Sequence, residues 1–193
     1  MKSRRNKLVE SVGLLALVFC LLPTQAFSQV DSILLQRLSR PGIGIFAGTL
    51  GVDAGLGLEL SSPSFLKQRF YLRVKGGINW SEWYKAQVGD DVTYPFLGAS
   101  LVFNTRPMNR SRVFIEAGEF VLFPSDKFSE KKSVYGFSVS TGAELFLTHN
   151  PHLTFSYFFG GGLSFCYTSA EKLENKPSYG NGFLFNTGLR AYF

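Results

Sequence analysis

The chain has 193 residues, enough for one domain, and a formal net charge of +6 at pH 7. Aromatic residues make up 16% of it, including 20 Phe, and there are also 20 Gly. Because aromatic side chains suit a pleated sheet and glycine is poor inside helices, this composition argues against an all-helical fold. No dense basic stripe follows the N-terminal segment, so a nucleic-acid partner is not expected.

The first 28 residues have the pattern of a secretory signal peptide. A basic segment at positions 2–7 precedes an uncharged apolar run from Val12 to Leu22. This run is too short to span a bilayer as a helix, which takes about 20 residues. The small residues Ala26 and Ser28 fit signal peptidase, so residues 1–28 are predicted to be removed. The next segment, 29–42, is predicted to precede the main domain and has no assigned role.

Residues 43–60 are predicted to form either one long strand or a hairpin that turns near Gly51 to Asp53. The long strand is possible because the even positions from 46 to 60 are apolar or glycine throughout. From Phe70 to Trp80 the even positions are again apolar or glycine, while odd positions include Arg73 and Lys75. Since a strand alternates its side chains between two faces, one face here is apolar and the other is charged.

Two middle strands alternate less regularly. In residues 95–104 the inner face carries Phe96 and Val102 beside small residues. In residues 113–123 unbroken alternation would point Glu119 at lipid, which is costly near the membrane midplane. A bulge or a strand end is therefore predicted between Gly118 and Phe120.

The last three strands are predicted at 135–147, 153–168 and 183–193, each with apolar residues at alternate positions. The run Gly160 to Gly162 lacks the strand-to-helix context of a phosphate loop. Glycine there is expected to leave room for a large neighbour across the lumen, or to let the strand bend. The final strand closes on Phe193.

Together these segments predict an all-β fold, an eight-stranded antiparallel up-and-down transmembrane β-barrel over residues 43–193 in the bacterial outer membrane. Such barrels usually have an even number of strands, short inner turns and long outer loops. If the last strand runs toward the periplasm, alternating strand directions place the segments 81–93, 124–132 and 169–181 on the extracellular side. The same count requires two strands within residues 43–60, which are then a hairpin. A soluble barrel of the lipocalin type, with its apolar face inward, is the main alternative.

Aromatic residues are expected to flank the apolar band of such a barrel. Those predicted at the outer side are Trp80, Trp83, Tyr84, Tyr94, Phe123, Tyr135, Tyr167 and Tyr179.

An eight-stranded barrel is narrow, so its inward side chains nearly fill it. The charged residues predicted to point inward are Glu59, Arg73, Lys75, Glu116, Glu144 and Arg190. Because an unpaired buried charge is costly, we expect these residues to pair into a network that plugs the interior. The alternative is a gated ion path through the same residues.

Both histidines, His149 and His152, lie in a predicted turn beside an Asn-Pro pair. No carboxylate or cysteine lies near them in the sequence to complete a metal site. The segment from His152 to Thr154 only faintly resembles the His-x-Ser of outer-membrane lipid A deacylases, because the serine is absent. We therefore predict no enzyme activity, no catalytic residue, no cofactor and no metal.

Four features resemble those of the small outer-membrane β-barrel domain family, which includes the outer membrane protein A-like barrels. They are the signal segment ending in Ala26-Phe27-Ser28-Gln29, the glycine-rich 48–51 leading into Gly57-Leu58-Glu59-Leu60, the strand centred on Arg73, and the terminal Gly188-Leu189-Arg190-Ala191-Tyr192-Phe193. The resemblance covers the predicted mature chain, without a peptidoglycan-binding domain after the barrel. It implies that the barrel assembly machinery recognises the last strand, through Phe185, Leu189, Tyr192 and Phe193.

The resulting hypothesis is a monomeric barrel in outer-membrane lipid with a structural or surface-interaction role. Its outer loops would present the contact surface to an extracellular ligand that the sequence does not identify. A narrow pore or a carrier of small lipophiles is the first alternative. A lipid A-modifying acyl hydrolase is the second.

Overall fold

The computed structural model describes residues 40–81, 92–105, 110–148 and 153–193, and these form a closed antiparallel barrel. Its strands are β1 (Gly42–Leu50), β2 (Asp53–Ser61), β3 (Phe70–Ser81), β4 (Val92–Asn104), β5 (Ser111–Leu122), β6 (Val134–Phe146), β7 (Thr154–Cys166) and β8 (Gly182–Tyr192). Each strand pairs with the next along the chain, and β1 pairs with β8 to close the barrel. The predicted eight-stranded antiparallel barrel is thus confirmed.

No helix within the described residues is long and apolar enough to cross a membrane. Residues 1–39 lie outside the described part of the chain, so the signal peptide at 1–28 and the role of 29–42 stay predictions. The first strand begins at Gly42, one residue before the predicted start of the barrel.

Residues 43–60 form a hairpin rather than one long strand. β1 and β2 pair in register from Gly42 opposite Ser61 to Leu50 opposite Asp53. In the two-residue turn between them, Gly51 has a φ of 69°, which glycine adopts without steric cost. The N–H of Gly51 also donates to the carbonyl of Phe183 at 2.9 Å, which ties this turn to β8.

The apolar sides of the strands face outward. Leu58 on β2 is 58% exposed, whereas its neighbour Glu59 is 1% exposed. The same contrast holds on β3, where Leu72 is exposed and Arg73 is buried. A soluble binding barrel would bury the apolar face, so the lipocalin-like alternative is wrong. An apolar exterior of this extent needs a covering of lipid or protein.

The predicted interruption of β5 is also wrong. The strand pairs continuously with both of its neighbours, and Glu119 lies opposite Ala99 on β4 and Phe137 on β6. Glu119 therefore points outward and is exposed. It lies close to the end of β5 at Leu122, and a lipid-facing charge near the membrane surface costs at most about 1 kcal/mol. The prediction had assigned it the larger cost of the midplane.

The glycine run of β7 leaves room for an aromatic ring, as predicted. A Cβ atom on Gly160 would lie 3.2 Å from the ring of Phe114. Gly142, which is opposite Gly160 on β6, faces the same ring. The two glycines therefore let Phe114 fill the centre of the narrow barrel.

The two ends of the barrel differ. We call the end that carries the connections 123–133 and 167–181 the long-loop end, and the turn 51–52 lies there too. The opposite end, which carries the turn 62–69, is the short-turn end.

Candidate functional site

The barrel interior holds two different layers. Nearer the short-turn end lies a set of ionised side chains that we call the charge layer: Glu59, Arg73, Lys75, Arg112, Glu116, Glu144 and Arg190. At the long-loop end lies an apolar layer that we call the cap. The six predicted inward charges all belong to the charge layer.

Glu116 on β5 binds two cations of β3. Arg73 Nη1 lies 2.6 Å from one carboxylate oxygen of Glu116, and Lys75 Nζ lies 2.7 Å from the other. The hydroxyl of Ser100 donates to the same carboxylate at 2.8 Å. Because Arg73 Nε also lies 3.8 Å from Glu59, one arginine on β3 connects carboxylates of β2 and β5.

Arg190 on β8 lies between two carboxylates. Its Nε donates to Glu59 on β2, and its Nη1 lies 3.5 Å from Glu144 on β6. The guanidinium carbon lies 3.6 Å from the centre of the Phe158 ring. A guanidinium stacked on an aromatic face keeps its N–H groups free to bind carboxylates. The Phe158 ring and the two carboxylates therefore bind Arg190 at the same time.

The sequence analysis missed Arg112, because the predicted strand began one residue after it. Arg112 Nε donates to Glu144 at 2.7 Å, and its Nη2 donates to the hydroxyl of Tyr192 at 2.7 Å. That hydroxyl donates in turn to Glu144 at 2.7 Å. Extending the alternation of β5 by one residue would have placed Arg112 on the inner face with Glu116.

The four residues predicted as the assembly signal do not share one face. Three lie on β8, and Phe193 follows its last residue. Phe185, Leu189 and Phe193 face outward and are exposed. Tyr192 is buried inside the barrel, where its hydroxyl joins the charge layer. Recognition of these residues by the assembly machinery stays a prediction.

The cap is built from the strand ends and from two loops that fold over the mouth of the barrel. Phe128 of the first loop and Tyr179 of the second pack edge to face, with ring centres 5.0 Å apart. Tyr94 on β4 packs against Tyr179 at 5.6 Å. The other buried members of the cap are Leu50, Val92, Phe120, Leu122, Val134, Ala170 and Leu173. An apolar plug therefore closes the long-loop end.

Two residues predicted at the outer aromatic girdle belong to the cap instead, because Tyr94 and Tyr179 are buried. Tyr94 lies on the inner face of β4, and the position of Tyr179 depends on how its loop folds, which no strand pattern encodes. Tyr135 and Tyr167 do lie on the outside, 77% and 90% exposed. The predicted girdle residues Trp83 and Tyr84 fall outside the described residues.

The two loops also bind each other through polar contacts above the cap. Glu171 accepts hydrogen bonds from the hydroxyl of Ser129 at 3.0 Å and from the N–H of Glu130 at 3.3 Å. The ammonium of Lys172 donates to the carbonyl of Asp126 at 2.6 Å. These contacts make the two loops one folded unit.

This loop contact is expected to depend on pH through Glu171. A backbone hydrogen bond within Glu171 lowers the pKa of its carboxyl below 4.5, with contributions from Ser129, the Glu130 N–H and Lys131. A lowered pKa means that the contact is complete above pH 4.5 and is lost as the pH falls through the lower, folded value. The Glu130 amide resonance should report this titration with a midpoint below 4.5.

Two variants make that measurement specific. In Glu171→Gln the titration of the Glu130 amide should disappear, whereas Glu174→Gln, at an exposed position of the same loop, should leave it unchanged. A midpoint at or above 4.5 would show that the folded loops do not stabilise the Glu171 carboxylate.

A cavity of about 60 Å³ separates the charge layer from the cap. Its polar lining includes Lys75, Asn79, Ser100, Ser138, Ser140 and Asn186. The cavity is far smaller than the roughly 300 Å³ that a small organic ligand needs, so only water or a small ion fits.

The described part of the chain offers no metal site. There, no three His, Cys, Asp or Glu side chains come together in a way that could hold a metal ion. His149 and His152 lie outside the described residues. The absence of an enzyme activity therefore stays a prediction.

No family model and no curated protein matches the chain. Among solved structures, the N-terminal β-barrel domain of Pseudomonas aeruginosa OprF is similar with a TM-score of 0.55 and 13% sequence identity. The match covers 80% of this chain and 98% of that domain. The chain has the fold of a small outer-membrane β-barrel.

Two further solved structures are less similar. A major outer membrane protein from Thermus thermophilus matches with a TM-score of 0.42 and 10% identity, over 79% of this chain and 99% of that one. Ail, the attachment invasion locus protein of Yersinia pestis, matches with a TM-score of 0.38 and 10% identity, over 79% and 95%.

The exterior of the barrel fits a bilayer. A closed barrel can span lipid because the strands satisfy each other's backbone hydrogen bonds and leave no open edge. Here β1 and β8 close the sheet, and the outward side chains of all the strands are largely apolar. A closed barrel with this exterior can cross the bilayer with its strands.

Proposed function

We propose that the outer-membrane barrel is a non-conducting protein with a structural or surface-interaction role, and that its folded loops present the contact surface. The observation that carries this proposal is the double closure of the lumen. A pore needs a continuous wet path, whereas here the cap seals one end and paired charges fill the other. A carrier of lipophiles needs an internal cavity of ligand size, and the cavity of about 60 Å³ is too small for one.

The long-loop end is proposed to face the cell exterior, because long loops are extracellular in barrels of this type. The outer surface of its two loops carries charges of both signs. They are Asp126, Lys127, Glu130, Lys132, Lys172, Glu174 and Lys176. This surface suits a polar partner, and because the loops already bind each other, little conformational freedom is lost on contact.

The barrel is further proposed to be a monomer in outer-membrane lipid, inserted by the barrel assembly machinery. Large apolar side chains are exposed on every strand rather than concentrated on one side. That distribution suits lipid all around the barrel better than a single protein interface.

Planar-bilayer recording tests the closure. Protein purified from outer membranes should give no resolved conductance steps, because neither layer leaves an open path. A shift in gel migration on heating shows that the same preparation is folded. This control distinguishes a folded barrel that does not conduct from unfolded protein that gives no signal. Stable unitary steps from the folded protein would refute the closure and favour a narrow pore.

A further inference from the structure

The short-turn end of the barrel carries exposed charges of one sign. The three connections at that end, 62–69, 105–110 and 147–153, contain no Asp or Glu. Among the residues that the structure describes there, the exposed cations are Lys67, Arg69 and Arg110. None of these three side chains forms an ion pair within the described part of the chain. The long-loop end mixes both signs, so only the short-turn end has a surface that selects for an anion.

The turn 62–69 holds two of these cations beside a row of aromatic side chains. Phe65 stacks on Phe70 with ring centres 6.2 Å apart, and Phe70 packs against Phe103 at 5.2 Å. Phe65 is 41% exposed, and the next residue, Leu66, is 68% exposed. An apolar surface with cations at its edge suits the boundary between the hydrocarbon and the headgroups of a bilayer.

The backbone of this turn is fixed in an uncommon conformation. Residues 66–68 have φ angles of 47°, 61° and 62°, in the left-handed region that side chains of their types rarely adopt. Phe65 and Phe70 exchange two backbone hydrogen bonds, of 2.7 and 3.2 Å, across the turn. The carbonyl of Arg69 accepts a further one from the N–H of Asn104 at 2.7 Å. These bonds hold the turn against the ends of the strands, so its cations stay beside the aromatic row.

We propose that the turn 62–69 binds an anionic phospholipid in the inner leaflet of the outer membrane. Lys67 and Arg69 bind its phosphate, and the guanidinium of Arg69 can contact two phosphate oxygens at once. Phe65 and Leu66 lie against its acyl chains. The choice of leaflet rests on the proposed function, in which the long-loop end faces the cell exterior.

A lipid fits this surface better than a soluble anion does. The pair Phe70 and Phe103 is followed along β3 and β4 by the outward pair Leu72 and Leu101, both exposed. The aromatic row is therefore continuous with the apolar exterior of the barrel. A soluble anion would neutralise the cations but would leave Leu66 in water, whereas a lipid covers both parts of the site.

Native mass spectrometry of the full-length barrel in micelles tests the binding. Phosphatidylglycerol and phosphatidylcholine with the same acyl chains are compared, and phosphatidylglycerol should bind more tightly. One cation near an anionic lipid contributes a factor of about five in affinity, so losing two should weaken binding at least about tenfold. The variant that combines Lys67→Gln with Arg69→Gln should show this loss for phosphatidylglycerol and little change for phosphatidylcholine.

The matched control combines Lys132→Gln with Lys176→Gln. It removes the same charge from two exposed positions at the long-loop end, and its affinity for phosphatidylglycerol should match that of the unaltered protein. All four substitutions change exposed side chains, and a shift in gel migration on heating shows that each variant is folded. Micelles have no leaflets, so the result does not depend on which end faces the cell exterior or on whether the barrel conducts.

A third variant tests the apolar part of the site. Leu66→Asn removes apolar surface but keeps the turn, because asparagine tolerates the left-handed conformation. It should weaken the binding of both lipids by a similar factor and leave the preference for phosphatidylglycerol intact. Unchanged affinity for both lipids would contradict the contact between Leu66 and the acyl chains.

Four results would overturn the proposal. The first is equal affinity of the unaltered protein for the two lipids. The second is an equal loss of phosphatidylglycerol binding in both double variants, which would mean unspecific attraction of charge. The third is glycerol phosphate, which has no acyl chains, bound as tightly as the lipid. The last is a dimer in the same spectra that disappears in the variant without Lys67 and Arg69, which would assign the turn to a second copy of the chain.

Discussion

Replacing Glu144 with glutamine lowers the free energy of unfolding by about 3–5 kcal/mol, the usual cost of breaking a buried ion pair on one side. Glu144 is completely buried and accepts hydrogen bonds from Arg112, Tyr192 and Ser156. Glutamine keeps the volume but removes the negative charge. The charge layer would then hold four cations against two carboxylates, with Arg112 and Arg190 both short of a partner.

Denaturant unfolding of the refolded barrel in micelles measures this loss. Glu119→Gln is the matched control, since it changes the same residue type on a strand but at an exposed, outward position. That variant should stay within about 0.5 kcal/mol of the unaltered protein. If the two variants were equally stable, the charge layer would not hold the barrel together in the way its geometry indicates.

Truncating Tyr179 to alanine releases the cap. The Tyr179 ring is fully buried between Phe128 and Tyr94, and removing a buried aromatic side chain costs about 3–5 kcal/mol. Because the ring anchors a loop, most of that cost should appear as local opening rather than as global unfolding. Trypsin should then cut after Lys172 and the other loop lysines at least about a hundred times faster, since 1.4 kcal/mol corresponds to a factor of about ten.

Tyr167→Ala is the control for this experiment, because Tyr167 lies in the same loop but is almost fully exposed. Its cleavage rate should match that of the unaltered protein within a few fold. Equal rates for Tyr179→Ala and Tyr167→Ala would mean that the loops do not depend on the buried ring for their position.

The faces of the strands could be predicted from the sequence because two environments impose a period of two. Charged side chains are disfavoured on the lipid-facing side and therefore point into the lumen. For this reason Glu59, Arg73 and Arg190 could be assigned to the inner face without a structure. The same rule gave a wrong result for Glu119, because the pattern does not show how deep in the membrane a residue lies.

The ion pairs themselves could not be predicted. Glu59 and Lys75 are directly opposite each other on β2 and β3, yet Lys75 binds Glu116 and Glu59 binds Arg190. Long side chains in a closed barrel reach across the lumen to strands that are not their neighbours. The cap was missed for a related reason, since loops have no periodicity from which the burial of Tyr179 could be inferred.

The position of Arg190 on the last strand has a consequence for biogenesis. Glu59 on β2 and Glu144 on β6 both lie against Arg190, which is 131 residues after Glu59 in the sequence. Until β8 docks against β1, both acids lack this guanidinium and are better solvated by water than by a half-formed lumen. Enclosure of these acids is therefore coupled to completion of the sheet, which disfavours membrane entry by a chain that ends before its final strand.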